Sequence, residues 1–179
     1  MDKIQRVGGV QGSNHQGRCT WTTVDFEASG LSQDSYPIEV GFCLPSGSMY
    51  SMLINPLSVD DWSHWDRNAE NIHHLSRRML EQQGESVADV CQFLNHSLGG
   101  YDVVLCDSQW DLYWLGRLYR AAHMRPSYCL TEISQWLKRV GTNNADDYYA
   151  LYYSLGPVRH RAADDAAQMS QAISLLLDS

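Results

Sequence analysis

Thr22-Thr23-Val24-Asp25-Phe26-Glu27-Ala28-Ser29-Gly30-Leu31 is the stretch on which the fold of this chain turns. From Trp21 to Glu27 it is rich in aromatic and β-branched residues, and Ser29-Gly30 closes it, which is the pattern of a strand ending in a turn. Side chains alternate along a strand, so Asp25 and Glu27 share one face, about 7 Å apart, at its C-terminal end. Two explanations of the pair stay open. It belongs to an exposed polar edge strand, since an Asp-x-Glu triplet is common by chance, or the two like charges hold a cation between them. Oxygen-only ligands favour magnesium, manganese or calcium over zinc.

Length and composition limit what such a pair can serve. A chain of 179 residues with six tryptophans is expected to form one globular domain with a sizeable core. No run approaches the roughly 18 apolar residues of a membrane span, and the N-terminal residues lack the apolar core of a secretory signal. The five cysteines, Cys19, Cys43, Cys91, Cys106 and Cys129, are odd in number, far apart and form no C-x-x-C. Neither a disulfide framework nor a zinc site is suggested, and a reducing, cytoplasmic setting is expected. The formal charge of -8 argues against a protein that coats long nucleic acid by electrostatics alone. A small or end-bound anionic substrate stays open.

Residues 1–19, rich in Gly, Gln, Asn and Ser, are expected to be a mobile tail ahead of a domain at 20–179. After the first strand, Ile38 to Cys43 and Met49 to Ile54 make two more, joined by the turn at Pro45-Ser46-Gly47-Ser48, so an antiparallel meander is expected. Leu57 to Ser76 reads as a long irregular connection, with Trp62 and Trp65 either plugging it onto the core or stacking on a base. In Asn71-Ile72-His73-His74 the adjacent histidines point apart and are assigned no metal. Ser86 caps a helix whose Val87, Val90, Cys91, Leu94 and Leu98 fall at helical spacing up to Gly99-Gly100. A fourth strand follows at Asp102 to Leu105, a helix from about Gln109 to His123, and a fifth strand at Tyr128 to Thr131. Helices near Ile133–Val140, Asn144–Leu155 and Ala162–Leu177 complete the chain. The expected fold is α/β: one mixed sheet of about five strands, a meander plus two parallel strands, with helices on both faces. Ligands in such sheets gather at the strands' C-terminal ends.

Two further acids stand out by helical position. Asp111 lies in line with Leu115, Leu118 and Ala122, and Asp165 with Met169, Ile173 and Leu176, so each points toward the core. Each is also in the first turn of its helix, where a carboxylate serves as a cap or meets the dipole. Burying four unpaired carboxylates is expensive, whereas four converging on two divalent cations satisfy one another. His160, about two residues before the last helix, would stand beside the same cluster, where an imidazole can act as a base.

These residues resemble a known family. Asp25-Phe26-Glu27-Ala28-Ser29-Gly30-Leu31 is similar to the first motif of the DnaQ-like, or DEDDh, 3′-to-5′ exonucleases of the ribonuclease-H-like superfamily. Asp107-Ser108-Gln109-Trp110-Asp111-Leu112-Tyr113-Trp114-Leu115 resembles the second, and His160-Arg161-Ala162-Ala163-Asp164-Asp165-Ala166 fits H-x-A-x-x-D in the third. Ile38-Glu39-Val40-Gly41 and Asn71-Ile72-His73-His74-Leu75 resemble typical second-strand and connector sequences, so the resemblance covers roughly residues 20–177. It implies a ribonuclease-H-like domain that removes nucleotides from the 3′ end of single-stranded nucleic acid or short oligonucleotides and releases 5′-mononucleotides. Asp25, Glu27, Asp111 and Asp165 would hold two magnesium or manganese ions, with His160 as general base. Ala28, Gly30 and Leu31 would meet the terminal bases, although core packing is an equal alternative for Leu31.

Many relatives carry His-Asn where Cys106-Asp107 stands here, so their substrate contacts do not transfer to this pair. Asp107 is either an extra acid at the rim of the site or a helix N-terminal residue. Phe26, opposite the acids, is expected in the core, and Glu39 is expected to be structural. Homodimers occur among relatives, and an exposed apolar helix face would suit one. The rival from another class is a binding or scaffolding module on the same fold without turnover.

Overall fold

A computed structural model describes residues 5–9, 21–141 and 145–178. Strand β2, Trp21–Ala28, is central, and this excludes the exposed-edge explanation of Asp25 and Glu27. It pairs antiparallel with β3, Pro37–Cys43, and parallel with β5, Val103–Cys106. β3 continues the meander into β4, Ser48–Leu53, while β5 runs parallel to β6, Leu130–Glu132. Five strands thus match the expected meander and parallel pair, with the last two shifted by one or two residues.

A sixth strand, β1, Gln5–Gly9, pairs antiparallel with β4 and gives the order β1-β4-β3-β2-β5-β6. This corrects the expected tail for those five residues. The run Gln-Arg-Val-Gly-Gly has no apolar alternation to announce a strand, and the free edge of β4 supplies the ladder instead. Residues 1–4 and 10–20 of that segment, with Cys19, and Asn144 lie outside the described residues.

The connection after β4 is more regular than expected. A short 3-10 turn, Pro56–Ser58, precedes helices α1, Arg67–His73, and α2, Arg77–Gln83. Asp66 caps α1 by accepting from the Asn68 amide, and Ser76 caps α2 by accepting from the Met79 amide. Each helix is two turns long and buries one residue, His73 or Leu80, so neither repeats an apolar period that a sequence pattern can show. Trp62 is buried and stacks on Tyr36 at 4.9 Å, which makes it the plug of this segment.

Helices α3, Val87–Leu98, and α4, Gln109–Ala121, cover one face of the sheet; α5, Ile133–Arg139, α6, Ala145–Ser154, and α7, Ala162–Asp178, cover the other. Val24, Phe26, Val40 and Phe42 meet Val90, Leu94 and Leu118 in the first core. Leu105, Ile133, Leu137, Tyr148, Met169 and Ile173 form the second. Among the described residues no helix is long and apolar enough to cross a membrane.

The first turn of α7 lies directly on β3. Ala162, Ala163 and Ala166 are all buried there, and a Cβ built on Gly41 would overlap the Ala163 amide and the Ala162 carbonyl carbon. Only glycine leaves room for backbone against backbone at this point. Gly41→Ala should therefore cost about 1–3 kcal/mol of stability by forcing α7 off the sheet, and Gly41→Val more. Urea denaturation with an unchanged m-value is the measurement, and an alanine variant as stable as the wild type would show the contact to be slack.

Candidate active site

The face of β2 that looks at α7 carries Thr23, Asp25 and Glu27 in succession, because alternate residues share a face. Thr23 Oγ1 donates to the Ala166 carbonyl at 2.6 Å and ties the strand to the helix. Asp25 is opposite Gly41 and Glu27 opposite Glu39 in the β3 register, so both acids stand beside the point where α7 meets the sheet. The register shifts between Glu27 and Ala28, at the end of the strand, and Ala28 still pairs with Pro37.

Asp165 reaches this point from α7. It is 3% exposed, whereas Asp164 is turned aside into an ion pair with Arg159 at 3.6 Å. The Asp165 carboxylate accepts from the Arg159 amide at 3.0 Å and from the Arg161 amide at 3.3 Å. It thereby closes the turn that carries His160, whose φ of 53° is left-handed. His160 is exposed, and its ring nitrogen lies with carboxylate oxygens of Glu27 and Asp165 in a group whose donor atoms are all within 4.8 Å of one another.

Asp111 arrives from the other side of the sheet. α4 starts just after β5, which runs parallel to β2, so the helix N-terminus lies at the same end of the sheet as the C-terminus of β2. Asp111 Oδ2 accepts from the Ser108 amide and hydroxyl, both at 3.0 Å, so the acid orients itself by capping its own helix. Capping and site membership are not alternatives here, because a carboxylate has further lone pairs to offer.

Electrostatics shows the acids crowding one another. Burial pushes the Asp25 carboxyl well above its usual range, and the like charges of Asp111, Glu27 and Asp165 push it further. Glu27 rises to about 8 through burial, then Asp165 and Glu39, against the opposing pull of Arg161. Asp111 rises to about 7, again through burial, with Ser108 holding it back. Burial also raises Asp165, opposed by the Arg159 amide and the His160 charge. A cluster of acids that resist ionisation together is one that a hard divalent cation would neutralise, and four carboxylates make a suitable oxygen donor set. The residues present fit divalent cations.

The remaining sequence assignments resolve individually. Phe26 is in the core, and Leu31 is 71% exposed, so core packing is excluded for it. Ala28 is buried at the end of β2; Gly30, with φ 152°, packs so closely on His64 that a Cβ would come within 2.7 Å of its ring. His73 is buried, its Nδ1 accepting from the Leu75 amide, and Trp65 donates to Glu70. Asp107 is half-buried near Asp25 and Tyr149. The contribution of α6 through Tyr149 and Tyr152 was not foreseen; tyrosines at 148, 149, 152 and 153 have helical spacing, but that pattern equally marks a packed face. Cys43, Cys91 and Cys106 are buried free thiols.

The architecture is the ribonuclease-H-like α/β fold. Among solved structures it is similar to E. coli exonuclease I in complex with a 5cy-dT13 oligonucleotide, at 13% identity and a TM-score of 0.66, over 94% of this chain and 41% of that one. It is also similar to E. coli exonuclease I with a dA16 oligonucleotide, at 15% identity and a TM-score of 0.60, over 86% and 40%. A product-bound exonuclease I structure matches at 13% identity and a TM-score of 0.62, over 88% and 44%. The chain thus spans about two fifths of the length of these proteins, and at such identity the likeness is one of fold. No protein-family model matches the sequence, and no curated protein matches it.

Two measurements follow from this geometry. Carboxyls whose folded pKa lies above the unfolded value bind more protons folded than unfolded, so the stability these groups contribute is fully present below about pH 4 to 4.5 and is lost as pH rises toward about 7 to 8. In chelator the melting temperature should drop across that window, and manganese should restore it at pH 8; a flat profile would mean that the acids do not share one site. By calorimetry, Asp165→Asn should weaken cation binding while Asp164→Asn leaves it unchanged and shifts stability by no more than about 1 kcal/mol. Exchanged behaviour of the two variants would place the start of α7 in another register.

Proposed function

We propose that this domain is a metal-dependent 3′-to-5′ exonuclease of the DnaQ-like, DEDDh type, acting on the 3′ end of single-stranded nucleic acid or of short oligonucleotides. The observation that carries the proposal is the convergence of Asp25, Glu27, Asp111 and Asp165, from three separate elements, with His160 beside two of them. The likeness in fold to exonuclease I and the three motifs support the same assignment. The four carboxylates would hold two magnesium or manganese ions, which supply charge stabilisation for the attacking and leaving oxygens of an in-line displacement at phosphorus.

The chain's own groups do the rest. His160, exposed at the tip of its turn, takes the proton of the attacking water, and Asp165 and Glu27 flank the ring so that the resulting imidazolium is stabilised. Ala28, Gly30 and Leu31 lead away from the acids at the end of β2, and the exposed Leu31 is the apolar wedge offered to the terminal base. The products are 5′-mononucleotides.

A 5′-labelled single strand should be shortened stepwise from its 3′ end in magnesium or manganese and left intact in chelator. Asp25→Asn should abolish this with the fold preserved, since removing one of several crowded charges does not destabilise the protein. His160→Ala should lower kcat by roughly 10² to 10⁴ while cation affinity holds. Cleavage of a circular strand would exclude an exonuclease, and tight binding without turnover would leave a binding module on the same fold.

A further inference from the structure

Glu39 is not explained by cation binding alone. It is 1% exposed on β3, directly opposite Glu27, and a lone buried carboxylate there would aggravate the crowding of the site. Its partner is Arg161, which donates from Nε at 3.1 Å and from Nη2 at 2.8 Å in a bidentate fork, and the Ala162 amide adds a third bond at 3.2 Å. Arg161 directly follows His160 in the chain. The turn is therefore gripped from two sides, by Asp165 through the amides of Arg159 and Arg161, and by the sheet through Glu39. A left-handed histidine is an uncommon backbone state that persists where its surroundings over-determine it.

We propose that the Glu39–Arg161 pair is a positioning device for His160, fastening the turn that carries the imidazole to the strand that faces Glu27. The proposal rests on His160 acting as the base in the exonuclease reaction. Glu39 is buried but the Arg161 side chain is 44% exposed, so the pair is a poor source of net stability, whereas removing Arg161 alone strands the buried Glu39 charge. Its rigid fork does fix direction. Misplacing a catalytic group by about 1 Å costs on the order of 10² in rate, which is the scale at which such a clamp acts. Lysine in place of Arg161 keeps the charge but loses the planar fork.

The test is the double variant Glu39→Leu/Arg161→Met, which removes both charges and leaves none stranded. It should melt slightly below the wild-type temperature, because the buried Ala162 amide loses its acceptor, and bind manganese with wild-type affinity, while kcat falls roughly 10- to 100-fold and KM changes little. Arg161→Lys should fall between the two. Independently of turnover, the His160 ring resonance should change from a single sharp signal to a broadened or shifted one, and the Arg159 and Arg161 amides should exchange faster. An unchanged ring resonance, a kcat within about threefold of wild type, or a loss of kcat matched by a loss of cation affinity would overturn the proposal. Absence of turnover in the wild type would count against the exonuclease assignment, and the ring and amide measurements would still decide the clamp.

Discussion

Everything at this site depends on how closely α7 approaches β3. Gly41 has no side chain, Ala162 and Ala163 have one carbon each, and the helix backbone rests on the strand backbone. That contact places Asp165 next to Asp25 and Glu27, which are fixed by the β2–β3 register. One methyl group at position 41 would push the helix off the strand and carry Asp165 with it. A packing constraint thus sets the spacing of charged groups, which electrostatic repulsion alone would drive apart.

The acids are held against that repulsion by bonds with other purposes. Asp111 caps α4 through Ser108, Asp165 closes the His160 turn, and Glu39 is neutralised by Arg161. Each bond removes one rotational freedom from a carboxylate or its neighbour, which would reduce the ordering cost of the proposed cation binding. The residual strain appears as raised pKa values at Asp25, Glu27 and Asp111, the groups with most to gain from a divalent ion.

The loop after β2 is exposed at Leu31 yet anchored on both flanks. His64 lies within hydrogen-bond distance of the Ser29 and Ser32 hydroxyls, Tyr113 and Arg117 donate to the Gln33 carbonyl, and Trp114 donates to Ser35. An exposed apolar side chain on a pinned loop differs from one on a slack loop, because it offers surface without an ordering penalty. Three of its anchors, Tyr113, Trp114 and Arg117, come from α4, the helix that also supplies Asp111, so that acid and the apolar tip share one rigid support.

Local patterns were enough to locate β2, the meander, the long amphipathic helices and the five residues of the proposed chemistry, since alternation at 25 and 27 and helical offsets from 111 and 165 are properties of neighbouring residues. The choice of Asp165 over Asp164 was legible for the same reason. Helices α1 and α2 were not, being too short to repeat a period, and β1 was not, because a strand without apolar alternation exists only where an edge is free to receive it. The Glu39–Arg161 pair joins residues 122 positions apart, and Asp107, in the turn after β5, comes near Tyr149 of α6 only in the folded chain. The sequence by itself determined which residues face the same way along each element. Tertiary structure alone decided which elements meet, because that depends on the volume left between them, and at Gly41 this volume is the difference between a hydrogen atom and a methyl group.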